Sequence, residues 1–374
     1  VLQKPVFPAA DLLLPADDFV FAFEEGVMSS RSPASRLMVV AVLLTAAVIL
    51  QWVSSRWNDQ NNILVLYCAH DSIFAQSIID TFEKRTGIQV QVRFDEEANK
   101  SLGLTNLLIA EKEHPRCDVF WNNQTLGTIR LKQEGVLATS DRNLFKRIPE
   151  QFRDSDFQWA GFAARLRVLI INTDRMTAST EAVDSALASD SLSRCAIAVP
   201  LFGTTLSHYS ILADQWGMAE LQAWHQSLHD RGIREARGNG AVKDLVAEGA
   251  CDLGFTDTDD AFAAIDAGKP VTMLPLRLTN GKTICLPNSV AMIRNCRHPE
   301  AAVLFMEYLL SEEVELALAK SASRQIPLGP VDASQLPQEV RELATWAADG
   351  VSLGGAAAQS DAVLKWLSGE YAAE

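Results

Sequence analysis

"NILVLYCAHDSIFAQSIIDTFEKRTGIQVQVRF", residues 62–94, reads as a strand, a helix and a strand. The run 62–69 is short, apolar and rich in β-branched and aromatic side chains, which predicts a buried strand. From Ser72 onward, Ile73, Phe74, Ile78, Ile79 and Phe82 recur on one side at helical spacing, and Gly87 supplies the stop. The run 88–94 then alternates apolar and polar residues as a second strand. Such a unit begins a parallel sheet covered on both faces.

The same alternation continues along the chain. A helix at about 101–113, the strand "CDVFW" (117–121) and a helix ending at Gly135 follow. It restarts at "RLRVLIINT" (165–173) and "CAIAVP" (195–200), with helices at 206–216 and 219–230, then "AVKDLVAEG" (241–249) and "CDLGFT" (251–256). "VTMLPL" (271–276), "TICLPNSVAMI" (283–293) and a periodic helical stretch over 298–321 complete it. No Pro/Gly/Ser linker separates the two series; a continuous strand near 165–173 joins them, as a hinged two-lobed protein requires. The expected architecture is α/β and two-lobed, each lobe a mostly parallel sheet flanked by helices. Residues 62–168 and 286–335 would form lobe 1, 169–285 lobe 2, and 336–374 a C-terminal helical segment.

The chain has 374 residues, enough for two lobes of ordinary size, and 33 Lys+Arg against 47 Asp+Glu. A formal charge of -14 without a basic stripe argues against a nucleic-acid surface. Residues 37–53, "LMVVAVLLTAAVILQWV", are uncharged and follow Arg31 and Arg36. The run is at the short end for a membrane span but long for a cleaved signal, and no small-x-small cleavage site follows it. An uncleaved signal anchor is expected, with the globular part outside the inner membrane. Residues 1–36 read as an N-terminal extension, and Met28 offers a conventional signal start within it.

The six cysteines form no CxxC pair or zinc spacing. Cys195 and Cys251 each open a predicted strand, so a disulfide between them and a set of buried free thiols are the two readings. No GxSxG, HExxH or phosphate-cradling GxxxxGKS occurs, and nothing else in the chain points to an enzyme or its cofactor.

In open α/β sheets, ligands sit at the carboxyl ends of strands, where loops enter helix N-termini. The predicted exits are "AHDS" (69–72), "WNNQT" (121–125), "LFGTTLSH" (201–208), "ARGNGA" (236–241) and "TDTDDA" (256–261). Thr204 and Thr205 beside Gly203 suit either an anion or simple capping, and Asn239 the same. Asp257, Asp259 and Asp260 lie within four residues. Asp caps helix N-termini, but three carboxylates so close repel one another, and a hard cation would offset that repulsion.

Over residues 62–330 the chain resembles the type II periplasmic solute-binding proteins of ABC importers, specifically the ferric-ion-binding branch (extracellular solute-binding protein family 1). The likeness is carried by "VLYCAHDSIFAQSIIDTFEKRTGIQV", "CDVFWNNQTLGTIRLKQEGVL", "ARLRVLIINTDRM", "NGAVKDLVAEGACDLGFTDTDDAF" and "RQIPLGP", in that order. It implies the type II fold and delivery of a small ligand to an inner-membrane ABC permease. The ligand set it implies is His70 after the first strand, Asn123 at the position of a glutamate, and Asp259 and Asp260 at that of a tyrosine pair. His70, Asp259 and Asp260 would then hold a ferric or other hard metal ion with a synergistic anion. Gln124, Thr204, Thr205, Asn239 and Asp257 would contact the anion. The phenolates of the iron branch are missing and Asn123 carries no charge, so related ligands stay open: a phosphonate, a phosphorylated solute, thiamine or a polyamine. A membrane-tethered sensor without a transport role also remains open.

Overall fold

The computed structural model describes residues 62–95 and 102–372. The expected anchor at 37–53 and the extension before it lie outside the described residues. Among the described residues no helix is long and apolar enough to cross a membrane.

The expected opening unit forms β1 (Ile63–Cys68), α1 (Ser72–Thr86) and β2 (Gln89–Phe94). Helix α1 buries Ala75, Ile78, Ile79 and Phe82 and ends at Gly87 in the left-handed region, φ 73°. Next come α2 (Leu102–Ala110), β3 (Val119–Asn122) and α3 (Leu126–Gln133), then a 14-residue strand, β4 (Trp159–Asn172), buried throughout. Helix α4 (Thr180–Leu187) leads to β5 (Cys195–Ala198), α5 (Gly203–Trp216), α6 (Met218–Asp230) and β6 (Arg234–Ala236). These precede α7 (Asn239–Ala247), β7 (Leu253–Asp257), α8 (Thr258–Asp266) and β8 (Val271–Pro275). The chain closes with β9 (Cys285–Met292), α9 (Pro299–Leu309), α10 (Glu312–Lys320), α11 (Gln338–Ala347) and α12 (Gly354–Glu370).

The strands follow the order β2-β1-β3-β9-β4-β7-β5-β6, with β8 also on β4. The expectation of mostly parallel sheets needs correction. β1 runs parallel to β2 and β3, and β5 to β6 and β7, but every pairing of β4 and β9 is antiparallel. The outer strands of each half come from helix crossovers, which give parallel neighbours; β4 and β9 instead traverse the middle and return. β4 pairs with β9 as far as Leu166 and with β7 from Arg167 onward, so one strand serves both halves of the sheet.

Each half has its own core. Leu64, Leu66, Phe82, Trp121, Phe162 and Phe305 pack together in the first half. In the second, Ile171, Ile197, Tyr209, Leu212 and Leu253 pack with Val363 and Leu367 of α12. Helix α7 lies close over β7 because Gly254 has no side chain there: a Cβ would stand 2.6 Å from Val242 Cγ1. That close approach carries the first turn of α7 toward the end of β7. All six cysteines are free, which corrects the disulfide reading. Cys195 and Cys251 pack into different hydrophobic clusters, one with Ile197 and Leu253, the other with Val242 and Val246.

Candidate functional site

A cavity of about 250 Å³ opens where both halves meet beside β4. Its walls include Gly203, Thr204 and Thr205 of α5, Gly238 to Gly240 at the start of α7, and Asp257, Asp259 and Asp260 around the start of α8. Three helices thus turn their amino ends toward one space. None of the three N-cap residues, Phe202, Gly238 and Asp257, makes a side-chain capping bond. A helix amino end carries unpaired N–H groups and a partial positive charge. Gly203, at φ 54°, permits the left-handed turn into α5.

Two arginines unremarked in the sequence govern the electrostatics. Arg165 and Arg167 occupy alternate positions on β4, so both project to one face, and both are buried. Arg167 Nη1 donates to Asp257 Oδ1 (2.9 Å) and Asn239 Oδ1 (3.0 Å). Thr204 Oγ1 donates to Asp257 Oδ2 (2.6 Å), Asn239 Nδ2 donates to the same oxygen (3.0 Å) and to Thr204 Oγ1 (2.8 Å), and Thr205 Oγ1 donates to Asn239 Oδ1 (3.2 Å). Thr204, Thr205, Asn239 and Asp257 are therefore one network around a fully buried guanidinium. These four residues, each placed at a strand exit by the sequence, meet in the structure, and Arg167 explains why Asp257 tolerates burial.

Arg165 reaches the other way. Its Nη2 donates to the Asn123 carbonyl (2.7 Å), and Nη1 lies 3.3 Å from Asp259 Oδ2. Its Nε stands 3.5 Å from Asp257 Oδ2. Burial works against the Arg165 charge, but Asp259, Asp257, Asp71 and Asp260 outweigh it and hold its pKa up. Asp260, bonded by Thr256 Oγ1 at 3.0 Å, has its pKa pushed up to about 8 by burial first and then by Asp259 and Asp257.

Asp257, Asp259 and Asp260 can each offer an oxygen within 4.8 Å of the others, a spacing that could hold a hard cation. His70 is not part of that group. Its Nε2 lies 3.1 Å from Gln325 Nε2, and its ring packs on Phe74 and Trp121, away from the cavity lining. Its neighbour Asp71 lines the cavity instead. Asn123 also lines it, and its buried Oδ1 has no hydrogen-bond partner among the described residues. Gln124 turns aside: its Oε1 accepts from the Leu126 and Gly127 amides (2.6 and 3.2 Å) and fastens the start of α3. Arg237, which sequence reasoning also passed over, completes the polar wall.

The pattern of the bacterial extracellular solute-binding proteins matches residues 77–348. The chain belongs to that family. Its members bind solutes outside the cytoplasm rather than transform them, in keeping with the lack of a catalytic motif in the sequence. Among relatives of this solute-binding protein is an Fe(3+)-binding periplasmic protein of Serratia marcescens, 27% identical over 143 residues, or 38% of this chain and 40% of that one. Iron uptake protein A2 of Synechocystis sp. is 24% identical over 222 residues, 54% of this chain and 63% of that one. The chain thus spans less than two thirds of the length of either relative. Iron-bound HitA from Pseudomonas aeruginosa shares the fold with TM-score 0.70 at 19% identity, over 82% of this chain and 99% of that one. Apo ferric ion-binding protein A from Pasteurella haemolytica gives 0.71 at 21%, over 83% and 97%. AfuA from Actinobacillus pleuropneumoniae, with exogenous fructose-6-phosphate bound, gives 0.66 at 16%, over 82% and 97%.

Proposed function

We propose that this solute-binding protein captures a ferric or other hard metal ion, together with an anion, and hands it to an ABC permease of the inner membrane, tethered there by the apolar run at 37–53. The observation that carries this reading is the acidic group: three carboxylates whose oxygens approach within 4.8 Å, set among helix amino ends. Asp259 and Asp260 would take the cation through hard oxygens. The backbone amides at Thr204, Thr205 and Asn239, whose side-chain donors already serve one another and Asp257, would take the anion with Arg237, and the anion would complete the coordination that phenolates supply elsewhere in the iron branch. His70 serves as a prop behind Asp71 in this scheme, and Gln124 holds the turn that presents Asn123. Two lobes sharing β4 as a hinge would close around the cargo, and contacts made only when shut would shift the population toward the closed state. The related binders named by their iron cargo support the same reading.

One observation favours a second reading, a phosphorylated solute. Buried Arg165, the nearby Arg237 and the amino ends of α5 and α7 are what a phosphate group seeks. A thermal-shift series with ferric citrate, manganese(II), inorganic phosphate and fructose-6-phosphate separates the two. The metal reading predicts stabilisation by ferric citrate that is lost in Asp259→Ala/Asp260→Ala. Stabilisation by the phosphorylated sugar alone, retained in that variant, would replace it with the second reading.

A further inference from the structure

Arg165 lies next to the point where β4 stops pairing with β9 and starts pairing with β7, so its side chain springs from the junction of the two halves. It is bonded on one side to the Asn123 carbonyl, at the end of β3 in the first half. On the other it pairs with Asp259 at the start of α8, in the second half, at 3.3 Å. It is 4% exposed, so water screens these contacts poorly. Asp257 has a second guanidinium, Arg167, at 2.9 Å, while Arg165 pairs with Asp259.

Resting on the metal reading above, we propose that Arg165 is a built-in competitor for the cargo: its guanidinium holds the cation's place on Asp259, links the two halves while it does so, and helps to drive the cargo out again. An entering cation needs the Asp259 oxygen that Arg165 engages, so binding includes the breaking of that ion pair. Departure of the cargo restores it. Affinity is lowered for every cation, more for a trivalent than for a divalent ion because the repulsion scales with charge, which keeps weakly bound ions out of the cleft and leaves a tightly bound one deliverable. An Arg165 that served instead as a contact for the anion would have the opposite effect on affinity.

Calorimetry and stopped-flow dissociation with ferric nitrilotriacetate and with manganese(II) chloride test this on the full chain. Arg165→Gln keeps a donor for Asn123 but removes the charge, and it should bind both metals roughly tenfold or more tightly, with slower release, because a unit charge near Asp259 is gone. Arg165→Lys keeps the charge and should not share the gain, while Arg165→Met, which also removes the charge, should share it and stands in if the Gln variant does not fold. In an Asp259→Asn background, Arg165→Gln should gain less than in the parent, because Arg165 then opposes the cation only through its remaining neighbours, Asp257 among them at 3.5 Å. A parent that takes up neither metal overturns the metal reading and this proposal with it. A parent that binds metal, with Arg165→Gln binding equally or more weakly, overturns the competitor alone. So would a gain in the Asp259→Asn background as large as the gain in the parent.

Discussion

Replacing Arg167 with methionine tests how the floor of the cleft is held together. The guanidinium is fully buried and its Nη1 lies 2.9 Å from Asp257 Oδ1. At that separation and an effective dielectric of ~20, the direct attraction is about 6 kcal/mol, from which desolvation of both ions must be subtracted. Arg167→Met would leave Asp257 buried with Thr204 and Asn239 as donors and the more distant Arg165 Nε, at 3.5 Å, as a countercharge. Removing one member of a buried pair costs about 3–5 kcal/mol, chiefly through the charge left behind. Asp257→Asn should be at least as damaging, because Arg167, fully buried and unable to shed its proton, then loses the counterion at 2.9 Å. Urea unfolding of the parent, both single variants and the double variant forms a cycle. The double variant should be more stable than the sum of the singles implies, by about 1–3 kcal/mol. A loss below about 1 kcal/mol for Arg167→Met, or additivity around the cycle, would refute the claim that this pair anchors the site.

Three further outcomes follow from other parts of the molecule. Asp260, with its pKa raised to about 8 by burial, Asp259 and Asp257, keeps its proton in the native state over a range where the unfolded chain loses it. The native state then binds more protons between roughly pH 4 and the folded value, so the penalty is absent below that window, grows through it and is complete above it. Asp260→Asn should flatten the fall in melting temperature between pH 5 and 8 and stabilise the protein at the upper end; an unchanged pH profile contradicts this. Buried Glu315 accepts from the amides of Ala163 (3.0 Å), Leu328 (2.8 Å) and Gly329 (3.1 Å), and from Arg147 Nη1. Glu315→Gln sets a donor against those amides and should lower stability by about 1–3 kcal/mol in chemical denaturation, whereas an unmoved midpoint would show the carboxylate to be dispensable. Thiol titration of the denatured, unreduced chain should count six free thiols, and a lower count would expose a disulfide that the separate packing of Cys195 and Cys251 argues against.

The alternation of apolar strands and periodic helices made the α/β order legible, because each element buries a face whose spacing is written in the sequence. The antiparallel course of β4 and β9 was not, since strand direction depends on which partner a buried run finds. Among the site residues, Thr204, Thr205, Asn239 and Asp257 were accessible as small polar groups at strand exits, where helices begin. His70 and Gln124 share that position, yet the side chain of His70 lies against the sequence-distant Gln325 and that of Gln124 fastens the first turn of α3. Arg165 and Arg167 were missed because they sit inside "RLRVLIINT", which was read only as a buried strand. A signal was present: two charges at alternate positions of an otherwise apolar strand must meet acceptors on one face. The acidic cluster after β7 was the place to look for those acceptors.

The central claim, that Asp257, Asp259 and Asp260 border the cargo, is tested most directly by anomalous diffraction at the iron absorption edge from crystals grown with ferric citrate. The account predicts a single strong peak within coordination distance of Asp259 and Asp260, with density for an anion toward Thr204, Thr205 and Arg237. Contradiction would come from a cleft that holds no iron peak, or from iron bound at a site these carboxylates do not reach.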